Sequence, residues 1–306
     1  MACPQMQAAW PSFAPHLAEL GIEADLPVVV QQLSEQELLD TIGGFDGVIA
    51  GDEPYTRAVL EKASRLRILS KWGVGVDNID WVAATDVGIA VTNTPGVFDA
   101  EVADVAVGYL ILLTRNLHRI DTGVRGGDWP KPAGRSLAGL TLGIIGFGGT
   151  GTALARRAVA MDMSVIGHDI DAAAMERARQ LGHAAADIDE LVTGADAISL
   201  HCPLTTANRH LLDHRRFAHM RPAALVVNTA RGPLIDEAAL VEAIRNGQVA
   251  GAALDVFEEE PLDAGSPLRT LPNVILGSHN ASNTDEAVAR TSVRAVENLL
   301  AGLGLR

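Results

Sequence analysis

Short runs of apolar residues alternate with amphipathic stretches along most of this chain. Between residues 27 and 94 the runs have the length of buried strands, and the stretches between them repeat apolar residues at helical spacing. The pattern predicts strands at 28–30, 46–50, 66–70 and 89–92, with helices from Ser34, at 56–63 and at 80–87. Because strict alternation is typical of a parallel sheet with crossover helices, we expect a first α/β domain here.

A long apolar helix and a second alternating region follow. Asp99 is a candidate N-cap for this helix, whose apolar spacing extends to about His118. The second region predicts strands from Leu140, at 165–169, near 184, and at 197–201, 224–228, 252–256 and 274–278, and a last helix capped by Asn283 or Thr284. That helix would return to the first domain. We therefore predict one domain from 1–95 with 282–306, and another from 96–281.

The first strand of the second region leads into a glycine-rich turn, Gly146-x-Gly148-x-x-Gly151, and then a helix-favouring segment. A dinucleotide phosphate site requires this order: Gly146 makes the tight turn, Gly148 admits the pyrophosphate, and Gly151 lets helix and strand pack closely. Asp169 ends the next strand, 18 residues on (169 minus 151), where an acid binds the ribose and repels a 2′-phosphate. The motif predicts an NAD site rather than an ordinary glycine-rich turn.

The composition narrows the candidate partners. The 306 residues carry 24 Lys and Arg against 38 Asp and Glu, a formal net charge of −14. Such a surface repels nucleic-acid phosphates and anionic lipid, so we expect neither partner, and an anionic substrate needs a local Arg or Lys. The chain has two cysteines, no long apolar run and no basic leader segment. We therefore expect a cytoplasmic protein without disulfides or membrane spans.

Ligands of open parallel sheets bind beyond the carboxyl ends of the strands, and this chain places an arginine, acids and histidines there. Arg231 and Glu260 follow two predicted strands, and His201 and His279 follow two others. Hydride chemistry on a 2-oxo acid needs a histidine to move the proton, a carboxylate to orient it, and an arginine to grip the substrate carboxylate. Spacing alone leaves both histidines as candidates. Each residue taken singly also fits a structural hydrogen bond or ion pair.

Several stretches together resemble the D-isomer-specific 2-hydroxyacid dehydrogenase family, in its D-3-phosphoglycerate dehydrogenase-like branch. Besides the glycine loop and Asp169, they are 71–80 (Lys-Trp-Gly-Val-Gly-Val-Asp-Asn-Ile-Asp), 93–96 (Asn-Thr-Pro-Gly), 201–205 (His-Cys-Pro-Leu-Thr), 228–232 (Asn-Thr-Ala-Arg-Gly), 254–257 with Glu260-Pro261, and His279. The resemblance covers nearly the whole chain. It implies two doubly wound parallel-sheet domains, with a Rossmann NAD-binding domain inserted into a flavodoxin-like substrate domain.

The resemblance also implies the roles of individual residues. Arg231 would bind the substrate's carboxylate and keto oxygen, His279 would be the acid/base, and Glu260 would pair with it. His201 would line the cofactor site, which resolves the choice between the two histidines. The implied cofactor contacts are Gly146, Gly148, Gly149, Thr150, Gly151, Asp169, His201, Cys202, Pro203, Thr229, Ala230 and Asp255. The implied substrate contacts are Lys71, Trp72, Gly73, Val74, Gly75 and Arg231.

Departures from the family pattern concern the substrate. Gly51 stands where phosphoglycerate-specific members have an arginine, and Lys71 replaces a second arginine without its bidentate fork. 3-Phosphoglycerate is therefore one candidate among small D-2-hydroxy acids. We also expect a shortened N-terminus, since the family's first strand would precede Cys3, and no serine-regulated C-terminal domain.

The predicted protein is an NAD-dependent dehydrogenase that forms a homodimer through the helix from Asp99. Trp129, in an exposed loop, would either meet a partner or cover the loop's own core. The alternative is an NAD(H)-sensing binding module similar to the C-terminal-binding-protein corepressors, which can retain the same three site residues. No metal is expected, because the spacing of His210 and His214 favours a solvated helix face.

Overall fold

The computed structural model describes residues 3–29 and 32–305, which form two compact units. The first unit comprises Met1–Val97 and Asn283–Arg306, and the second comprises Phe98–Ser282. The breaks thus follow residues 97 and 282, against the predicted 95 and 281. The chain leaves the first unit, builds the whole of the second, and returns.

The first unit contains a parallel sheet of three strands in chain order. These are β1 (Gly47–Ala50), β2 (Ile68–Lys71) and β3 (Ala90–Thr92). Its helices are α1 (Pro4–Ala9), α2 (Ala14–Glu19), α3 (Glu35–Thr41), α4 (Arg57–Lys62) and α5 (Trp81–Asp86), with 3-10 turns at Trp10–Ser12 and Ile42–Gly44. The predicted capping box forms at α3, where Ser34 and Glu37 exchange hydrogen bonds.

The strand predicted at 28–30 is wrong where the structure describes it. Val28 and Val29 form no strand, and Val28 is 98% exposed; Val30 lies outside the described residues. A β-branched run fits a strand only where a neighbouring strand pairs with it, and these two residues pair with none of the described strands. The apolar pattern alone does not supply that partner.

The second unit is built on a seven-stranded parallel sheet in the order β10-β9-β8-β7-β4-β5-β6. Its strands are β4 (Thr141–Ile145), β5 (Ser164–His168), β6 (Ala184–Ala185), β7 (Ala197–Leu200), β8 (Ala224–Asn228), β9 (Val249–Leu254) and β10 (Val274–Leu276). Successive residues belong to different apolar cores, Ile144 to one and Ile145 to the other. The strand order reverses beside β4, and such a switch point is where open α/β sheets bind ligands.

The helices of the second unit pack against this sheet. They are α6 (Asp99–Arg115), α7 (Leu117–Arg125), α8 (Gly149–Ala160), α9 (Ala172–Gln180), α10 (Ile188–Gly194), α11 (His214–His219) and α12 (Glu237–Arg245), with 3-10 turns at Gly232–Leu234 and Pro267–Thr270. The last helix, α13 (Asp285–Leu303), belongs to the first unit and is capped by Thr284, one of the two predicted caps. No described helix has the length and apolar character needed to cross a bilayer.

Two details of the predicted long helix are wrong. It ends at Arg115 rather than about His118, because Asn116 adopts the left-handed conformation at φ +53° and starts a second helix. Asparagine tolerates that conformation better than most residues. Asp99 is not the N-cap either: Phe98 occupies that position, and Asp99 is the first residue of α6.

Candidate active site

Each of the three glycines in the loop after β4 has a different structural reason to be glycine. Gly146 has φ +95°, and a Cβ there would overlap the backbone of His201 and Cys202. A Cβ on Gly151 would overlap the carbonyl of Gly146, so the close approach of α8 to the loop requires glycine. A Cβ on Gly148, the N-cap of α8, would have no atom within 4 Å. The backbone is therefore open at the position where a pyrophosphate would approach α8.

Asp169 joins the second strand to this loop. It directly follows β5, and its carboxylate accepts the Phe147 N–H at 2.7 Å and the Asp171 N–H at 2.9 Å. These bonds hold a partly exposed carboxylate beside the glycine loop, on the side where an adenosine ribose would lie. The arrangement fits the ribose of NAD and would repel a 2′-phosphate.

His201 and Cys202 follow β7, and burial sets the charge of both. Burial lowers the pKa of His201 to about 4, so the ring is neutral near pH 7, and one of its nitrogens lies 2.8 Å from Ser199 Oγ. Burial raises the pKa of Cys202 to about 11, which keeps the thiol protonated and unsuited to nucleophilic chemistry. Both residues fit an uncharged lining, as does the exposed Pro203 beside them.

Two buried polar atoms near the strand ends fit a cofactor. His201 Nδ1 and Thr229 Oγ1 are both inaccessible to solvent, and neither has a hydrogen-bond partner among the described residues. Buried polar atoms normally have partners, so both are suited to a polar ligand such as NAD. Thr229 is followed by Ala230, whose N–H is held by Asn228 Oδ1 at 3.0 Å.

Arg231 is held by the backbone around it. Asn228, buried at the end of β8, donates to the Arg231 carbonyl at 2.8 Å, and the guanidinium donates to the Ala230 carbonyl at 2.8 Å. The next residue, Gly232, lies so close to the backbone of Phe257 that a Cβ would overlap it. The loops after β8 and β9 therefore meet at Gly232, directly after Arg231.

The loop after β9 supplies the partner of His279. Glu260 accepts the Phe257 N–H through Oε1 at 3.0 Å, and its Oε2 lies 2.7 Å from His279 Nδ1. The side chains of His279 and Glu260 are 28% and 22% exposed. Because the carboxylate can only accept, Nδ1 carries the hydrogen of this bond, and Nε2 is the nitrogen that can exchange a proton. The pairing predicted for these two residues is thus present in the structure.

His279 lies in a strained turn that Asp255 holds in place. Its φ of +54° is unusual for a residue with a side chain. The buried Asp255 accepts the His279 N–H through its carbonyl at 2.6 Å and the Ala281 N–H through Oδ2 at 2.8 Å. Tyr109 on α6 donates to the other carboxylate oxygen at 3.3 Å. Sequence reasoning assigned Asp255 only to the cofactor and missed Tyr109, because the partners are 146 residues apart.

The predicted substrate residues of the first unit are largely engaged with their own unit. Lys71 is 2% exposed, and its ammonium donates to the Gly51 carbonyl and to Asp52 Oδ1, the latter at 2.7 Å. Trp72 is buried and its indole donates to Ser292 Oγ at 3.0 Å. The next three residues form the loop beyond β2: Gly73 at φ +137°, Val74 at 43% exposure, and Gly75.

The described residues contain no group of three or more His, Cys, Asp or Glu that could hold a metal ion. His214 lies 3.5 Å from Glu242 on the exposed surface, and His210 lies 3.0 Å from Glu258. The site combines a dinucleotide loop, an arginine and a histidine–carboxylate pair. That combination defines a nucleotide-dependent oxidoreductase acting on a carboxylate substrate.

Comparison with known proteins identifies the family. The family model described as "D-isomer specific 2-hydroxyacid dehydrogenase, NAD binding domain" matches residues 107–281, more than half of the chain. The chain belongs to this family of NAD-dependent dehydrogenases. The matched residues lie within the second unit, so the glycine loop, Arg231, Glu260 and His279 all fall inside the matched segment.

Relatives and solved structures agree on the family but differ in substrate. The D-3-phosphoglycerate dehydrogenase of Methanocaldococcus jannaschii is 42% identical over 85% of this chain, which spans only 50% of that protein. The hydroxypyruvate reductase of Thermotoga maritima is 37% identical and each chain is 92% covered. The glyoxylate reductase of Thermofilum pendens is 38% identical, with 88% of this chain and 82% of that protein covered.

A solved structure has the same fold. The TT0316 protein from Thermus thermophilus superposes with a TM-score of 0.86 at 36% identity, covering 96% of this chain and 94% of that chain. Together with the parallel sheets, this confirms the predicted α/β class with a Rossmann NAD-binding domain.

Proposed function

We propose that the chain interconverts a small D-2-hydroxy acid and its 2-oxo acid, with His279 as the acid/base, Glu260 as its partner and Arg231 as the carboxylate-binding residue. The observation that carries this proposal is the 2.7 Å contact between His279 Nδ1 and Glu260 Oε2. A carboxylate on Nδ1 fixes the ring and favours its protonated form, which reduction of a keto acid needs. The homologous dehydrogenases and reductases support the coarse reaction.

Each residue then has one task in the reduction. NADH, when bound, supplies the hydride that reaches the substrate carbonyl carbon. His279 Nε2 gives its proton to the carbonyl oxygen as the hydroxyl forms, and takes it back in the reverse direction. Arg231 binds the substrate carboxylate through its planar fork and so orients the carbon toward the cofactor. Asp255, Asn228 and Tyr109 hold these groups in position.

We further propose that the preferred substrate carries no charged group besides its carboxylate, as in hydroxypyruvate or glyoxylate. The carboxyl edge of the first unit's sheet carries Asp52, Glu53 and Lys71, and the Lys71 ammonium already lies 2.7 Å from Asp52. A committed cation beside two acids is a poor site for a dianionic phosphate. The second candidate is 3-phosphoglycerate, favoured by the 42% identity with a D-3-phosphoglycerate dehydrogenase.

A substrate panel tests both parts of the proposal. NADH oxidation would be followed with glyoxylate, hydroxypyruvate, 3-phosphohydroxypyruvate and sulfopyruvate. We expect kcat/KM for hydroxypyruvate to exceed that for the phosphorylated acid by about tenfold or more, since a missing cation costs about 1.4 kcal/mol or more in binding. A preference for 3-phosphohydroxypyruvate would support the second candidate instead. Tight NADH binding with no turnover of any acid would favour the corepressor-like sensor, which the comparisons do not support.

The roles of the units and the assembly are also proposals. We propose that the first unit serves the substrate and the second binds NAD, in a cytoplasmic homodimer.

Within the second unit, α7 has no buried residue, and Leu117, Val124 and the nearby Trp129 are 41%, 44% and 77% exposed. Exposed apolar side chains on one helix and the following loop suit a subunit contact. Sedimentation analysis of the wild type and of Trp129→Ser tests this: a monomeric wild type would overturn it.

A further inference from the structure

The first residue of α6 places a carboxylate against the start of α8. Thr150, the second residue of α8, donates its hydroxyl to Asp99 Oδ1 at 3.1 Å. A Cβ built on Gly149, the first residue of α8, would overlap the Asp99 carboxylate. Asp99 is only partly buried. The loop that the glycine motif assigns to a pyrophosphate is therefore approached by a fixed negative charge of the protein itself.

The Asp99 carboxylate and a bound pyrophosphate would therefore both lie at the N-terminal end of α8. The first N–H groups of α8 and its dipole attract negative charge, and a carboxylate there stabilises the free protein. A pyrophosphate bound at the same end is attracted by the helix but repelled by the carboxylate. Arg157, on α8, is engaged elsewhere, because its guanidinium is paired with Asp104 at 2.6 Å, further along α6.

We propose that Asp99 weakens the binding of the dinucleotide by opposing its pyrophosphate, and that glycine at position 149 serves to admit this carboxylate. The charge stabilises the loop when NAD is absent and lowers affinity when NAD is present. Weaker binding speeds release of the oxidised or reduced dinucleotide, and product release is a step that limits turnover in many enzymes. Asp99 is thus a residue that sets cofactor affinity, in addition to its place in α6.

The test is NADH affinity in Asp99→Asn, which keeps the shape and the acceptor for Thr150 but removes the charge. We expect the Kd for NADH, measured by fluorescence titration, to fall about threefold to tenfold at low ionic strength. The gain should shrink at high ionic strength, where the repulsion is screened. The control is Asp121→Asn, which removes one exposed acid from α7, where it pairs with Arg125 at 2.9 Å, and should leave Kd nearly unchanged.

A second ligand and a second readout separate this role from a structural one. ADP-ribose contains the pyrophosphate and should gain affinity in Asp99→Asn, whereas adenosine lacks it and should not. The unfolding midpoint of the free protein should drop in the same variant, so stability and affinity move in opposite directions. Unchanged or weaker NADH binding in Asp99→Asn, or an equal gain for adenosine, would overturn the proposal. Asp99→Thr gives the same test with a smaller neutral side chain should the asparagine variant not fold.

The coupling to Gly149 is tested in the free protein. Gly149→Ala should lower the unfolding midpoint in the wild-type background, because the added Cβ displaces the Asp99 carboxylate from its place beside Thr150. In the Asp99→Ala background the same change should have a clearly smaller effect, since the obstructing group is gone. Equal effects in the two backgrounds would show that Gly149 is required for another reason.

Discussion

The carboxyl edges of the two parallel sheets carry similar residue types but hold them in opposite ways. In the second unit Glu260 and His279 are partly exposed and held by neighbouring groups: Glu260 accepts the Phe257 N–H and pairs with His279, which is 28% exposed. In the first unit Glu53 is fully buried and Lys71 is 2% exposed, each engaged with its neighbours. One edge presents reactive groups to a ligand, whereas the other uses its charges to hold its own loops.

This difference separates the residues that we propose for the chemistry from the residue that we propose to restrict the substrate. In the proposed reaction, the partly exposed His279 and Arg231 act on any 2-oxo acid that reaches them. In the proposed substrate preference, Lys71 is buried and paired with Asp52 and so offers no free cation to a phosphate. Substitutions at the carboxyl edge of either sheet test this contrast between the two units. The largest effect is expected for substitution of His279.

Replacing His279, the proposed proton carrier, should largely abolish the reaction at the carboxyl edge of the second unit's sheet. For His279→Gln we expect kcat to fall about 10²- to 10⁴-fold, the range of a lost general acid/base, while the Kd for NADH changes little. Stopped-flow or steady-state NADH oxidation measures the first quantity and fluorescence titration the second. Substantial residual turnover, or loss of NADH binding in parallel, would contradict the role given to His279.

The two edges should also respond to pH in opposite directions. Burial lowers the pKa of His201 to about 4, so between about 6.5 and 4 the unfolded chain binds a proton that the folded chain does not, and stability falls as pH falls. The largest contribution is about 3 kcal/mol across that window. Burial raises the pKa of Glu53 despite the Gly51 N–H and the Lys71 ammonium, so its contribution is lost as pH rises.

Urea midpoints across the pH range measure both effects. His201→Asn should reduce the loss of stability as pH falls below about 6.5, and Glu53→Gln should remove a contribution that is lost as pH rises above about 4.5, so the two variants change the slope of the profile in opposite directions. His16→Asn, an exposed histidine of α2, is the control and should leave the profile as in the wild type. An unchanged acid limb in His201→Asn would show that other groups dominate it.

The turn that carries His279 should be held less firmly when Asp255 loses the hydrogen bond from Tyr109. Tyr109→Phe removes only the hydroxyl that donates to Asp255 at 3.3 Å, and we expect kcat to fall about threefold to tenfold, in line with one hydrogen bond of about 1 kcal/mol. The unfolding midpoint should change little. Thr114→Val removes a buried hydroxyl from the same helix, where it bonds to the Leu110 carbonyl at 2.7 Å, and should leave kcat unchanged.

How far the sequence anticipates this molecule depends on how local each contact is. The glycine loop, the Ser34 capping box and the Thr284 cap are set by residues within a few positions of each other, and all three were predictable. The Tyr109–Asp255 and Asp99–Thr150 contacts join residues 146 and 51 positions apart, and no spacing rule indicates them. The break at Asn116 and the missing strand at Val28 likewise depend on tertiary context, which overrides an apolar pattern.

The same limit applies to the carboxyl edge of the first unit's sheet. The sequence shows a lysine at position 71 but not that its ammonium is paired with Asp52. Asp52→Asn tests whether that pairing restricts the substrate. Removing the acid should free part of the Lys71 charge, so kcat/KM for 3-phosphohydroxypyruvate should rise about twofold to fivefold relative to hydroxypyruvate, the range of a surface charge contact. The control is Asp46→Asn, which removes an exposed acid paired with Arg65 at 2.7 Å before β1. A ratio that stays constant would show that Lys71 does not set selectivity, and would leave the first edge a purely structural counterpart of the second.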